Sequence, residues 1–267
     1  MNIITSVRNP HIQHIRALQR SSRTRRQEGL FVAEGVRLLE EALHADWRPH
    51  TLLAAAELPP RAAALVDAWR AQGVEPLWVA GHVLTAAGDT QTPQGVLAIF
   101  PRQPRSIGAQ PNFLLLLDGI HDPGNLGTIL RTAWAAGVDG VLLSPENADP
   151  FAPKVVRAGM GAHFHLPVVQ ADWDTLIASL GSLPVYMAEA RRGARLFDVD
   201  FRSPCVLLIG GEAAGAGETA RTLAVNAVHI PMPGAAESLN AAVAAAILMF
   251  EVVRQRSPAP LPAPEKP

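Results

Sequence analysis

The sequence predicts an α/β protein in two parts: a small N-terminal α/β domain and a larger C-terminal α/β domain built on an open parallel sheet. Three observations carry that expectation. The chain has 267 residues, more than one domain of ordinary size holds, so two hydrophobic cores are expected. Its C-terminal part repeats continuous apolar runs, FLLLLDGI, GVLLSP, LPVYMA, CVLLIG and AVHIPM. Such runs suit parallel strands covered on both faces, with the helical stretches between them supplying the cover. Finally, PRQPRSIGAQP, Pro101 to Pro111, mixes Pro, Gly and charge without an apolar period and reads as a linker. The divisions expected are residues 1–103, a linker at 104–111, a second domain at 112–256 and a tail at 257–267.

In chain order, the first segment gathers Arg8, Arg16, Arg20, Arg23, Arg25 and Arg26, with His11 and His14, against the single acid Glu28. Two readings stand open: contact with nucleic-acid phosphates, or a solvated helix with its arginines in water. GLFVAEG then reads as a strand and turn, Val36 to Ala45 as a helix and HTLLAAA as a second strand. Pro60 to Gln72 is helical, LWVA and GVLAIF are further strands, and HVLTAAG between them is a short helix. In the second domain His163 and His165 alternate as on a strand and read as half-buried structural residues. After Arg256 the chain continues SPAPLPAPEKP; this composition buries no apolar surface, and a disordered tail is expected.

The stretch from Val228 to Glu251 organises the second domain. Val228 and Ile230 suit a buried strand, Pro231 and Pro233 remove the donors that a continuing strand would use, and Gly234 permits a turn. Ser238 precedes Leu239, Val243, Ala246, Ile247 and Phe250 at helical spacing, so it is the expected N-cap. A loop that delivers backbone amides to a helix N-terminus can cradle a polar or anionic ligand, and it can equally be an ordinary connection. From Ala241 to Phe250 the helix is apolar all round, which asks for cover on two sides.

Several function classes are excluded. A formal net charge of −1 does not suit a protein that coats nucleic acid through bulk charge, so any such contact must be a local patch. The single cysteine, Cys205, lies in an apolar run and allows no intrachain disulfide, which fits a reducing compartment. The first 20 residues carry charge where a secretory signal is apolar, and no apolar helix is long enough to cross a bilayer, so a cytoplasmic protein is expected. The turn after LLLLDG is IHDPGNLG, without the G-x-G-x-x-G of a dinucleotide site, and no phosphate-binding G-x-x-x-x-G-K-[ST] occurs. The histidines form no metal-site spacing.

Three motifs remain in order: NLGTILR from Asn125 to Arg131, GGEAAG from Gly210 to Gly215, and I-P-M-x-G-x-x-x-S-L-N from Ile230 to Asn240. Together they resemble the motifs of the SpoU-type RNA ribose methyltransferases (TrmH-like, of the SPOUT class) over about Phe113 to Arg256. The chain departs from that family just after Asn240, where Ala241 and Ala242 replace a common Val-Ser pair. FVAEG, Phe31 to Gly35, and TPQGVLAIF, Thr92 to Phe100, more loosely resemble the family's N-terminal RNA substrate-binding domain.

The resemblance implies methyl transfer from S-adenosylmethionine to a ribose 2′-hydroxyl of RNA, in a catalytic domain with a trefoil knot formed near Gly210 to Gly217 and after Ile230. Ribosomal RNA is the leading substrate. Transfer RNA is the near alternative, and a catalytically silent RNA-binding or ribosome-assembly protein is the alternative of another class. The same resemblance places Gly210, Gly211, Gly215, Ile230, Met232, Gly234, Ser238 and Leu239 around the cofactor. It gives Arg131 the reacting hydroxyl, with Asn125, Glu212, Ser238 and Asn240 positioning ribose, loop and cofactor. No metal is implied. Arg131 joins the N-terminal arginines as an expected RNA contact, and a homodimer with active sites completed across the interface is expected.

Overall fold

Asn9 opens the first helix: its Oδ1 accepts from the His11 N–H at 3.0 Å, and Pro10 supplies a first-turn residue with no donor to satisfy. This helix, α1 (Pro10–Arg20), buries Ile12, Ile15 and Leu18 on one face. Ser21 Oγ caps α2 (Ser22–Glu28) at 3.1 Å from Thr24 N, and Gly29 ends it in the left-handed conformation. The computed structural model describes residues 3–90, 92–103, 105–212 and 215–257; the expected tail at 258–267 lies outside them. The chain divides into two units, Met1–Pro104 with Asp149–His165, and Arg105–Ala148 with Leu166–Pro267.

The first unit continues with β1 (Leu30–Glu34), α3 (Val36–His44), β2 (Thr51–Ala55), α4 (Pro60–Ala71), β3 (Leu77–Val79), α5 (Gly81–Ala87) and β4 (Val96–Pro101). Its sheet runs β1-β4-β2-β3, antiparallel except where β2 meets β3. Both faces are covered, so the period of two sorts apolar residues between two cores. Phe31, Ala33, Ala98 and Phe100 enter one, and Val32, Leu97 and Ile99 enter the other with α1.

The second unit begins with β5 (Phe113–Asp118), α6 (Pro123–Ala135) and β6 (Gly140–Leu143). After α7 (Pro153–Gly159) and α8 (Ala162–His165) it resumes with β7 (Val168–Gln170), α9 (Trp173–Leu180), β8 (Val185–Glu189), β9 (Ala194–Arg195), β10 (Cys205–Gly210), α10 (Glu218–Leu223), β11 (Ala224–His229) and α11 (Ala241–Arg256). The seven strands are all parallel, in the order β7-β6-β5-β10-β8-β11-β9. The chain leaves β5 towards one edge and later returns beside it through β10, so strand order reverses there. In open parallel sheets that reversal is where ligands bind, beyond the carboxyl ends of the strands. No helix among the described residues is long and apolar enough to span a membrane.

Residues 149–165 do not follow the expected division. They leave the second unit after β6 and pack in the first as α7 and α8. Phe151, Val156 and Phe164 enter the core of Phe31, Trp47 and Phe100, with ring centroids 5.2 Å apart for Phe31 and Phe151 and 5.1 Å for Phe100 and Phe164. Trp47 Nε1 donates to the Phe164 carbonyl at 3.0 Å. Deleting residues 1–104 alone would therefore strand three buried aromatic or aliphatic side chains in water. A fragment that keeps the second unit folded needs 149–165 replaced as well.

The two histidines of this excursion lie on helix α8, not on a strand, because Gly161 turns the chain and Phe164 must reach the core. His163 is 3% exposed, its Nε2–H donates to the Pro150 carbonyl at 2.7 Å, and burial pushes its pKa down from 6.5 to about 4. The unfolded chain takes up that proton below pH 6.5 and the native one only near pH 4. Stability should therefore be unaffected above pH 7 and fall as pH drops through this window, by about 3 kcal/mol at the acid end. Thermal melts from pH 7 to 4 should show a shallower slope for His163→Phe; equal slopes would remove His163 as the cause.

Candidate active site

Four loops at the carboxyl ends of β5, β8, β10 and β11 build the site. Asp122 Oδ1 caps α6 by accepting from Asn125 N at 2.8 Å, which fixes the Asn125 side chain at the helix start. After β10, Gly211 and Gly215 exchange two backbone hydrogen bonds of 3.1 and 2.9 Å, and Gly215 sits at φ 68°. A Cβ on Gly210 would lie 2.2 Å from Ala216 N, and one on Gly211 2.2 Å from the Gly119 carbonyl oxygen. Only glycine permits this approach of main chain to main chain. Asp118 holds the loop from below: its Oδ2 accepts from Gly217 N at 2.7 Å and its Oδ1 from Ser144 Oγ at 2.6 Å.

The cap of α11 differs from the expectation. Asn240, not Ser238, is the N-cap, its Oδ1 accepting from Ala242 N and Val243 N at 3.0 and 3.3 Å. Ser238 lies two residues further out and lines the cleft instead. This arrangement ties the three motifs together. Glu212 Oε1 accepts from Asn125 Nδ2 at 2.6 Å, from Asn240 Nδ2 at 2.9 Å and from Ala241 N at 3.4 Å, and Asn240 Nδ2 also donates to Asn125 Oδ1 at 3.0 Å. One carboxylate oxygen thus joins the starts of α6 and α11 to the loop after β10. A carboxylate engaged by three donors is a staple, and a poor candidate for a proton acceptor.

Beside this staple opens a cleft of about 270 Å³. Gly210, Gly211, Gly215, Ile230, Met232, Ser238 and Leu239 line it, together with Glu212. Gly234 does not, being on the exposed outer part of the loop. Sequence reasoning missed Ala188, Glu189, Ala190 and Arg221, which line the same cleft. Glu189 Oε1 meets Arg221 Nη1 at 2.7 Å, and Arg221 Nε donates to the Ala216 carbonyl at 2.8 Å. Their signal was the place of Glu189 at the end of the apolar strand VYMAE. The walls combine aliphatic side chains (Ile209, Val228, Ile230, Leu239, Leu248) with exposed main chain at glycines. That donor set fits a nucleoside carrying a small polar group, such as S-adenosylmethionine. A second cleft of about 370 Å³ shares the wall of Gly211, Glu212 and Gly215 and is bounded by His121, Glu146 and Trp173.

The expected arginines separate into three groups. Arg131 is exposed on α6 and is not among the residues lining the cleft. Arg8, Arg20, Arg23 and Arg26 are exposed and Arg16 is partly so. Arg25 does not belong to the patch: it is 4% exposed, with Nε and Nη2 on Asp149 Oδ2 at 2.9 and 2.7 Å and Nη1 on the Leu18 and Gln19 carbonyls. The turn between α1 and α2 buries its guanidinium, and the Asp149 carboxylate compensates its charge.

Comparison with known proteins gives the family. Residues 112–250 match the SpoU rRNA Methylase family, and residues 9–98 match the MRM3-like substrate binding domain. The chain is 32% identical over 254 residues, 94% of its length and 99% of the relative's, to the 23S rRNA (guanosine(2553)-2′-O)-methyltransferase RlmP of Bacillus subtilis. It is 35% identical over 268 residues, 95% and 92% of the two chains, to the 23S rRNA (uridine(2479)-2′-O)-methyltransferase of Streptomyces viridochromogenes. The crystal structure of an AdoMet-bound rRNA methyltransferase from Sinorhizobium meliloti superposes with a TM-score of 0.84 at 33% identity, covering 95% of this chain and 97% of that one. With its three motifs joined at Glu212, its family match over residues 112–250 and relatives matched along nearly the whole chain, the protein belongs to the SpoU rRNA Methylase family.

Proposed function

We propose that this protein methylates a ribose 2′-hydroxyl of ribosomal RNA with S-adenosylmethionine as donor. The observation that carries the reading is the cleft of glycine main chain and aliphatic walls beside the Asn125–Glu212–Asn240 staple. When bound, S-adenosylmethionine supplies an electrophilic methyl group. The backbone at Gly210 and Gly211 and the side chains of Ile230, Met232, Ser238 and Leu239 would hold it, while Glu212 keeps the three loops in register. The acceptor nucleotide would enter by the second cleft, across the Gly211–Gly215 wall. The chain's task is then to align a hydroxyl and stabilise charge developing on its oxygen. Arg131 suits the second part. A guanidinium is always charged near neutrality, so Arg131 polarises the 2′-oxygen and holds the adjacent phosphate, and does not act as a base.

Arg131 is exposed outside its own chain's cleft, and on α11, which packs on α6, Val243 and Phe250 are 48% and 45% exposed. These observations support a two-fold homodimer in which Arg131 of one subunit serves the cleft of the other. The N-terminal arginines Arg8, Arg16, Arg20, Arg23 and Arg26 would grip RNA phosphates, and the cytoplasm is the compartment that such a substrate implies. The test is direct. Purified protein with labelled S-adenosylmethionine should leave 2′-O-methylated nucleotides in unmodified 23S ribosomal RNA; label in transfer RNA alone would redirect the substrate, and no label in either would favour a silent RNA-binding protein.

A further inference from the structure

The catalytic unit carries a second basic surface outside the motifs. After β8 the chain reads Arg191-Arg192-Gly193-Ala194-Arg195, three arginines in five residues of a protein whose formal net charge is −1, and all three are exposed. The segment is a held ribbon. Ala194 and Arg195 pair with Val228 and His229 of β11, and His229 Nδ1–H donates to the Gly193 carbonyl at 3.2 Å. Gly193 sits at φ 87°, where a Cβ would fall 2.0 Å from the Ala227 carbonyl oxygen, so only glycine lets the ribbon lie this close to the strand.

Acids do little to neutralise the ribbon. Arg195 meets Asp198 only at 3.9 Å with both side chains more than 60% exposed, a pair worth little in water. Glu189, at the end of β8, is engaged by Arg221. Arg192 has no ion-pair partner among the described residues, and Arg191 Nη2 donates to the Ala236 carbonyl at 3.2 Å, tying the ribbon to the loop whose Ser238 and Leu239 line the cleft. Next in the chain, buried Leu196 anchors a turn that leaves Phe197 54% exposed. Exposed guanidinium groups on a held backbone, with an exposed ring two residues after Arg195, form the combination that binds single-stranded nucleic acid, by phosphate contact and base stacking.

We infer that the ribbon of Arg192 and Arg195 with Phe197 is an RNA-binding surface of the catalytic unit, gripping the phosphodiester backbone of unpaired nucleotides that flank the methylated one. The inference deepens the methyltransferase reading and rests on it for the methylated nucleotide, but binding is measured without turnover. The probe is an unmodified 23S ribosomal RNA transcript, titrated with full-length protein at several KCl concentrations. Arg192→Gln with Arg195→Gln should reduce the slope of log affinity against log salt by about 1.4, since each lost single-strand phosphate contact removes about 0.7. Phe197→Ala should weaken binding by about 5-fold or more with the slope unchanged. Arg192→Lys with Arg195→Lys should keep the slope. Affinity for S-adenosylmethionine by calorimetry and kcat at saturating RNA should stay at wild-type values in all three, with KM for RNA raised in the first two. An unchanged slope in the glutamine variant, or a fall in cofactor affinity that accounts for its loss of activity, would overturn the assignment. Wild-type protein that binds the transcript through the ribbon yet transfers no methyl would instead overturn the methyltransferase reading.

Discussion

Asp149→Ala should lower the unfolding free energy of the first unit by about 3–5 kcal/mol, because it leaves the Arg25 guanidinium buried without a counter-charge. The side chains of Arg25 and Asp149 are 5% and 10% exposed, and the arginine also donates to the Leu18 and Gln19 carbonyls, which hold it in its buried position. The cost comes from stranding the charge and not from the worth of the pair, so Arg25→Met with Asp149→Leu should recover most of the loss. Urea denaturation followed by hydrogen exchange at residues 150–165 separates these outcomes. In the single variant those amides should exchange at lower denaturant than the strands of the second unit, whereas in the double variant they should return toward wild type. A single variant as stable as wild type would show that the excursion is held by Phe151, Val156 and Phe164 alone.

How far the fold could be read from the sequence follows from which interactions are local. The run at Phe113–Asp118 is buried throughout and that at Cys205–Gly210 up to its last residue, and burial on both faces gives the continuous apolar run that marks a parallel strand. β7 and β9, at the two edges of the sheet, have three and two residues and carry no such run, so pairing with a neighbour defines them and sequence pattern does not. The excursion was invisible for a related reason. Arg25 and Asp149 are 124 positions apart, and Arg25 reads in sequence like its neighbours Arg23 and Arg26. Ser238 and Asn240 are both good caps by composition; the Glu212 contact to Asn240 and Ala241 decides between them, because it pins the helix start two residues later. In the site, motif order suggested that Asn125, Glu212 and Asn240 work together. That they converge on one oxygen is information only the fold supplies.

Arg131→Ala should lower kcat by roughly 10²–10³-fold, the size of effect expected when one preorganised donor to a developing oxyanion is lost. Cofactor affinity should be spared, because the contacts proposed for Arg131 are with the 2′-oxygen and phosphate of the RNA. Arg131→Lys keeps the charge but loses the planar fork, so it should remain impaired; a fully active lysine variant would mean that charge alone matters. Gly210→Ala should fail differently. Its new Cβ would press on Ala216 N at 2.2 Å and displace the loop that forms the cleft wall, abolishing cofactor binding. The two defects allow a test of where the working arginine comes from. In a mixed dimer of an Arg131→Ala subunit and a Gly210→Ala subunit, the first keeps an intact cleft and the second an intact arginine. If the arginine acts across the interface, one of the two sites is whole and the purified heterodimer should show about half the wild-type activity per dimer. If each site is built within one chain, neither is whole and the heterodimer should be as inactive as its parents. Light scattering that finds only monomer at micromolar concentration would decide against the dimer before the mixture is made.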